Sequence, residues 1–267
     1  MAENKKHPMQ DERRVLDVTV EAGHILLENG AEISRVEETM ERICSHYGVD
    51  TGEFFVLSNG IFTTGGRYSD KPYARVQHIP VKGTRLDKVV AVNQLSREIA
   101  QGRHEDIGSV EKRIAEINQM QPEREGMQIL ASGVGSSVFC ALAGGGLADC
   151  LAAFIAGFLL YVFVLKVSLP HLGKIVGNIF GGMFVVTLSL LCYHAGLGSN
   201  LSYIISGTII PLVPGVPFVN GIRDIANGDY IAGVVRLLDA VFVFLSIAIG
   251  VGVVFTLYHA LMGGVMP

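Results

Sequence analysis

Between residues 126 and 267 only eight side chains are Lys, Arg, Asp or Glu: Asp149, Lys166, Lys174, Arg223, Asp224, Asp229, Arg236 and Asp239. The first 125 residues hold the other 17 of 21 Lys and Arg and 21 of 25 Asp and Glu. A stretch so poor in charge has no polar face for water on most of its length, so it reads as a membrane domain attached to a soluble one. The fold class expected is an α-helical integral membrane protein of about five transmembrane helices. It carries an N-terminal cytosolic α/β domain over residues 1–125, with the membrane domain over 126–267.

Within the apolar half, five runs are long enough for a hydrocarbon core of roughly 30 Å at about 1.5 Å per residue. They cover about 127–145, 147–165, 175–195, 201–219 and 231–258. The fourth contains Pro211, Pro214 and Pro217. Each proline lacks a backbone N–H and clashes with the preceding turn, so a regular helix breaks there. Broken helices survive in lipid only where protein or a hydrated cavity satisfies the freed groups, and in transporters such breaks mark binding sites. A helix that simply ends at a cytoplasmic turn is the plainer alternative. Gly173, Gly177 and Gly181 recur every fourth residue, a pattern for close helix packing.

The loops fix an orientation. With residues 1–126 inside, the Gly144–Gly146 turn and the 196–202 loop fall outside and carry no Lys or Arg, whereas Lys166, Lys174 and Arg223 fall inside. The first residues lack the apolar core of a signal peptide, which agrees with a cytoplasmic start.

In the soluble half, apolar residues from Asp11 to Asn29 follow a helical period, with Gly30 placed as a C-terminal cap. Ser34 and Glu37 match a capping box opening a second helix. Short β-type runs at 54–57, 61–64 and 73–79 are separated by Asn59-Gly60 and Gly65-Gly66. Helices are expected at about 86–101 and 109–120. Glu21 with His24, and Arg35 with Glu37, Glu38 and Glu41, have the residue types of acid–base chemistry, but the plainer reading is a solvated or capping face. No Walker loop, G-x-S-x-G or H-E-x-x-H occurs, so no enzyme and no cofactor are expected. Cys44, Cys140, Cys150 and Cys192 have no metal-type spacing, and a net charge of −4 gives no reason to expect a nucleic-acid partner.

The candidate substrate site gathers around the proline break. Pro214, Gly215 and Pro217 form the break, and Asn220, Arg223 and Asp224 follow it. Arg223 suits a substrate carboxylate, because a guanidinium fork binds it in bidentate fashion; alternatively it marks the cytoplasmic boundary. Asn178 in the third span needs a partner or a hydrated path. Asp149, as an intramembrane carboxylate, is either a coupling group or an interfacial residue. Arg236 and Asp239 are three apart on the fifth span and suited to pair with each other. Asp229 sits where a helix N-cap is expected.

Two segments also carry a resemblance. Gly30-Ala-Glu-Ile-Ser-Arg-Val-Glu-Glu-Thr-Met-Glu-Arg-Ile43 resembles the start of the threonine/serine exporter (ThrE-like) family. Val213-Pro-Gly-Val-Pro-Phe-Val-Asn-Gly-Ile-Arg-Asp224, with Gly228–Arg236, resembles its second signature. The resemblance implies a secondary exporter of small carboxylate-bearing metabolites, either threonine/serine-like amino acids or dicarboxylates such as succinate. Full-length members have a further membrane half. This chain is similar to the split branch, in which a small membrane-protein partner supplies that half. The expected partners are therefore that subunit, the small-molecule substrate and the lipid bilayer. A membrane-anchored enzyme or a regulatory subunit remains the alternative.

Overall fold

The structure is a computed structural model that describes residues 8–49, 51–65, 73–80, 83–103 and 106–262. It is mostly helical with a single three-stranded sheet among the described residues, and it divides into two compact units. One contains residues 1–121 with 216–238; the other contains 122–215 with 239–267.

The first unit opens with helix α1 (Pro8–Glu28). Its periodic residues Val15, Leu16, Val18, Ala22, Ile25 and Leu26 are all buried. Gly30 ends the helix at φ +85°, a left-handed conformation that lets its N–H reach Leu27 O and the Ala31 N–H reach Leu26 O. Helix α2 (Ile33–His46) follows, then strands β1 (Thr51–Leu57), β2 (Gly60–Gly65) and β3 (Tyr73–His78), joined antiparallel in sequence order. Helices α3 (Leu86–Ala100) and α4 (Ile107–Asn118) complete the domain core.

Alternation along the strands separates two faces. Val56, Ile61 and Thr63 are buried, while Phe55, Phe62 and Val76 form one exposed cross-strand row. The expected capping box does not form. The N-cap of α2 is Glu32 and no local side chain caps the helix. Glu37 instead takes a hydrogen bond from the Val56 backbone, and burial pushes its carboxyl above the usual range.

In the second unit, α5 (Glu125–Leu142) and α6 (Leu147–Phe163) form an antiparallel hairpin. Helix α6 runs through a π-helical turn, Val164–Ser168, into the short α7 (Leu169–His171). Small residues draw this hairpin together: Ser132 Oγ donates to Gly157 O at 3.0 Å, and a side chain at Gly133 would meet Phe154 O. Helix α8 (Lys174–His194) and the later part of α11 (Tyr230–Leu261) approach as closely. A Cβ on Gly250 would fall 2.0 Å from Ile179 O, and one on Gly182 would fall 2.5 Å from Ile247 O. The glycine stripe on α8 also packs within this unit, with Gly177 against Ser168 and Gly181 against Leu212. Gly250→Leu is therefore expected to force α8 and α11 apart and to lower recovery of folded protein in detergent. Normal recovery with an unchanged unfolding temperature would contradict that packing.

Among the described residues, three helical stretches are long and apolar enough to cross a bilayer: Leu147–His171, Lys174–His194 and Tyr230–Leu261. A fourth appears only if Leu201–Leu212 and Gly215–Ala226, separated by a bend, count as one span. Helix α5, 18 residues rich in Gly and Ser, is not among them.

Candidate functional site

The proline-rich segment folds as a sequence of short pieces. Helix α9 (Leu201–Thr208) gives way to a 3₁₀ turn at Ile210–Leu212, the chain extends at Val213, and α10 (Gly215–Ala226) starts afresh. Pro214 precedes the new helix, and Pro217 lies in its first turn, where a missing N–H leaves no helical bond unmade. Gly215 meets no atom within 4 Å where a side chain would stand. The turn after α10 passes through Gly228 at φ +96°, and Asp229 lies just before α11 begins. The two helices cross where Gly221 and Gly233 face each other; a Cβ on Gly233 would lie 2.7 Å from Gly221 O.

Asn220, Arg223 and Asp224 share one face of α10, and Asn227 in the turn after it continues that face at three- and four-residue spacing. That face meets the five residues from Gly30 to Ser34. Asn220 Nδ2 donates to Gly30 O at 2.8 Å, and Arg236 Nη2 donates to Ala31 O at 2.7 Å. Arg223 pairs with Glu32, the Ile33 N–H donates to Asp224 Oδ1 at 3.0 Å, and Asn227 Nδ2 donates to Ser34 Oγ at 3.1 Å. Arg236 Nη1 completes the cluster with a 2.8 Å bond to Asp224 Oδ2. Asp224 is fully buried and the Arg236 side chain is only 10% exposed.

Asp224 therefore caps α2 from far along the chain. Its carboxylate satisfies an N–H at the helix start and complements the positive end of the dipole. Arg236 pairs with Asp224 and not with Asp239, so the expected partnership along α11 is corrected. The buried acid at the helix start is the stronger attraction.

Asp239 instead pairs with Lys174, whose carbonyl accepts from Asn178 Nδ2 at 2.8 Å. Beside them lies a cavity of about 380 Å³ with Ile175, Val176, Phe242 and Val243 on its walls. Asn178 thus finds its partner on its own helix. Asp149 is buried and accepts three backbone N–H groups: Ser199 at 2.6 Å, Asn200 at 2.9 Å and Gly146 at 3.0 Å. These bonds tie the start of α6 to the loop before α9. Among the residues with acid–base chemistry, Glu21 accepts from Asn118, His24 bonds Gln77, and Glu38 pairs with Arg42.

Of the candidate site residues, Asn220, Arg223, Asp224 and Arg236 come together in one cluster, while in the second unit Asn178 bonds the backbone of Lys174 and Asp239 its side chain. Sequence reasoning missed the Gly30–Ser34 partners. One signal for them was present, because the two segments that carry the family resemblance are the two that meet here.

A helix broken by prolines and followed at once by polar side chains is the pattern by which binding sites of solute transporters are recognised. The chain belongs to the ThrE family, described as "Putative threonine/serine exporter", whose pattern matches residues 17–258. It is 25% identical over 251 residues to the "Probable succinate transporter subunit YjjP" of Escherichia coli, covering 93% of this chain and 96% of that protein. It is 24% identical to the protein of the same name from Klebsiella aerogenes, covering 93% and 95%. The "Uncharacterized protein C16A10.01" of Schizosaccharomyces pombe is 26% identical over 189 residues, covering 66% of this chain and 22% of that protein. No solved structure matches the chain. Family and relatives together support a transporter or exporter subunit.

Proposed function

We propose that this chain is one subunit of a secondary transporter that exports small carboxylate-bearing metabolites across the plasma membrane. Threonine/serine-like amino acids and dicarboxylates such as succinate are the two candidate cargoes. Five spans would cross the bilayer, with residues 1–121 in the cytoplasm and the C-terminus outside, in keeping with the loop charges. The YjjP relatives are named as transporter subunits. By analogy, a small membrane protein would supply the rest of this exporter.

The observation that carries the reading is the Arg223–Glu32 pair at the edge of the cluster. The Arg223 side chain is 58% exposed, so the pair is within reach of solutes, and a substrate carboxylate presents the same chemistry as Glu32. Asn220 is buried beside that edge, with its amide on Gly30 O. Asp224 and Arg236 lie deeper and hold the loop that positions Glu32. Pro214, Gly215 and Pro217 set where α10 begins, and Asn178, Asp239 and Asp149 are secondary candidates on the path.

Reconstitution in liposomes tests the whole reading. With its partner present, the chain should move a labelled amino acid or dicarboxylate; no transport of any tested carboxylate by folded complex would overturn it. Arg223→Lys tests the site. An ammonium cannot reproduce the guanidinium fork, so efflux should fall roughly tenfold at matched membrane abundance. Near-normal efflux would return Arg223 to a boundary charge.

A further inference from the structure

Three of the four cysteines, Cys140, Cys150 and Cys192, meet in one small buried cluster with Ala152, Ala153 and Ile204. Two of them occupy matching places in the α5–α6 hairpin. Cys140 lies in the last turn of α5 and Cys150 in the first turn of α6. The packing contacts of this hairpin join residues at nearly equal distances from the Gly144-Gly145 turn: Ser132 with Gly157 and Gly133 with Phe154. Continued towards the turn, the same register sets Cys140 opposite Cys150. Gly145 lies between them, with the Cys140 sulfur 2.6 Å from where its Cβ would be and the Cys150 Sγ 3.8 Å from its carbonyl oxygen. A disulfide requires Cα atoms about 4.4–6.8 Å apart, and that is the demand the link places on this register.

We propose that Cys140 and Cys150 form a reversible dithiol/disulfide pair that staples the α5–α6 hairpin. The two residues have different parts, because Cys150 is half-buried whereas Cys140 is buried. Cys150 is the thiol an oxidant reaches. Its thiolate attacks a disulfide R–S–S–R, forming a mixed disulfide and releasing one RSH. Cys140 then attacks the Cys150 sulfur, forming the intramolecular bond and releasing the second RSH. Two electrons and two protons pass from the pair to the oxidant. Cys44, in the other unit, takes no part: it is buried beside Thr19, and burial pushes its thiol up to about 11.

The pairing itself needs no assumption about topology. Its use in the cell rests on the orientation proposed above, which places this turn on the oxidising side. Oxidised glutathione added to the purified full chain in detergent should reduce the accessible and denaturant-exposed thiols from four to two. Peptide mapping should recover one link, Cys140 to Cys150, that a reductant reverses. Cys150→Ser should keep its remaining three thiols free. Four thiols persisting at an oxidant level that oxidises the denatured chain would overturn the proposal, and so would a link through Cys192. The cellular half is read separately in intact cells, where a membrane-impermeant maleimide should label Cys150 after an impermeant reductant and not before it. Labelling without reductant would overturn the cellular oxidation, and no labelling after reduction would overturn the orientation, while the purified-protein result stands by itself.

Discussion

Replacing Arg236 by Ala should unfold the first unit more readily than any surface change. Asp224 would be left fully buried with the Ile33 N–H as its remaining hydrogen-bond donor, and the Ala31 carbonyl would lose its donor as well. Breaking a buried pair from one side costs about 3–5 kcal/mol, because the surviving charge keeps its desolvation penalty. A fall of the unfolding temperature on the order of 10 °C is expected for a unit of this size. The matching double variant, Asp224→Asn with Arg236→Met, removes both charges and should recover part of the loss. That recovery separates an electrostatic cause from a packing one. Equal unfolding temperatures for Arg236→Ala and the parent protein would show that the cluster holds nothing together.

Asp149→Ala should be the second severe change. Three backbone N–H groups converge on that carboxylate, and each one left buried without a partner costs about 1–3 kcal/mol. The loop at Ser199 and Asn200 should loosen, which amide hydrogen exchange would register as faster exchange there and at Gly146. Asp149→Asn keeps one good acceptor oxygen and should lie between the two. This series also separates two roles for the residue. A fastener loses stability in step with its acceptors. A proton-coupling group would instead lose transport in Asp149→Asn while the loop stayed protected, and that outcome would reinstate Asp149 as a functional carboxylate.

The parts of the fold that a reader could extract from the sequence are those written in short-range grammar. The period of α1 and the left-handed Gly30 that ends it depend on residues within a few positions of one another, as does the β1–β2 hairpin, although it turns at Ser58-Asn59 and Gly60 already pairs with Leu57. The proline break is equally local, since a missing N–H acts at its own turn. The start of α2 shows where such grammar fails. Ser34 and Glu37 have capping-box spacing, yet the N–H of Ile33 is taken by Asp224, 191 residues away, and Glu37 is drawn to Val56. Arg236 repeats the lesson: Asp239 is nearer along the helix, but Asp224 offers a buried carboxylate at a helix start. The candidate residues at the break were legible as a group because polar side chains are rare in that half. Their partners were not, because nothing in a helical period records which distant loop a face will meet.

The discontinuous first unit also bears on how the protein is made. Residues 1–121 leave the ribosome first, yet the unit is complete only when residues 216–238 arrive. Until then α2 lacks its Asp224 cap, and the core lacks Ala232. Domains usually close as they emerge, from the N-terminus onward. Here closure waits for the apolar helices in between to be synthesised, so the nascent first unit spends that interval with an open helix start and an unfilled edge. A fragment cut after Gln121 would stay in that immature state indefinitely.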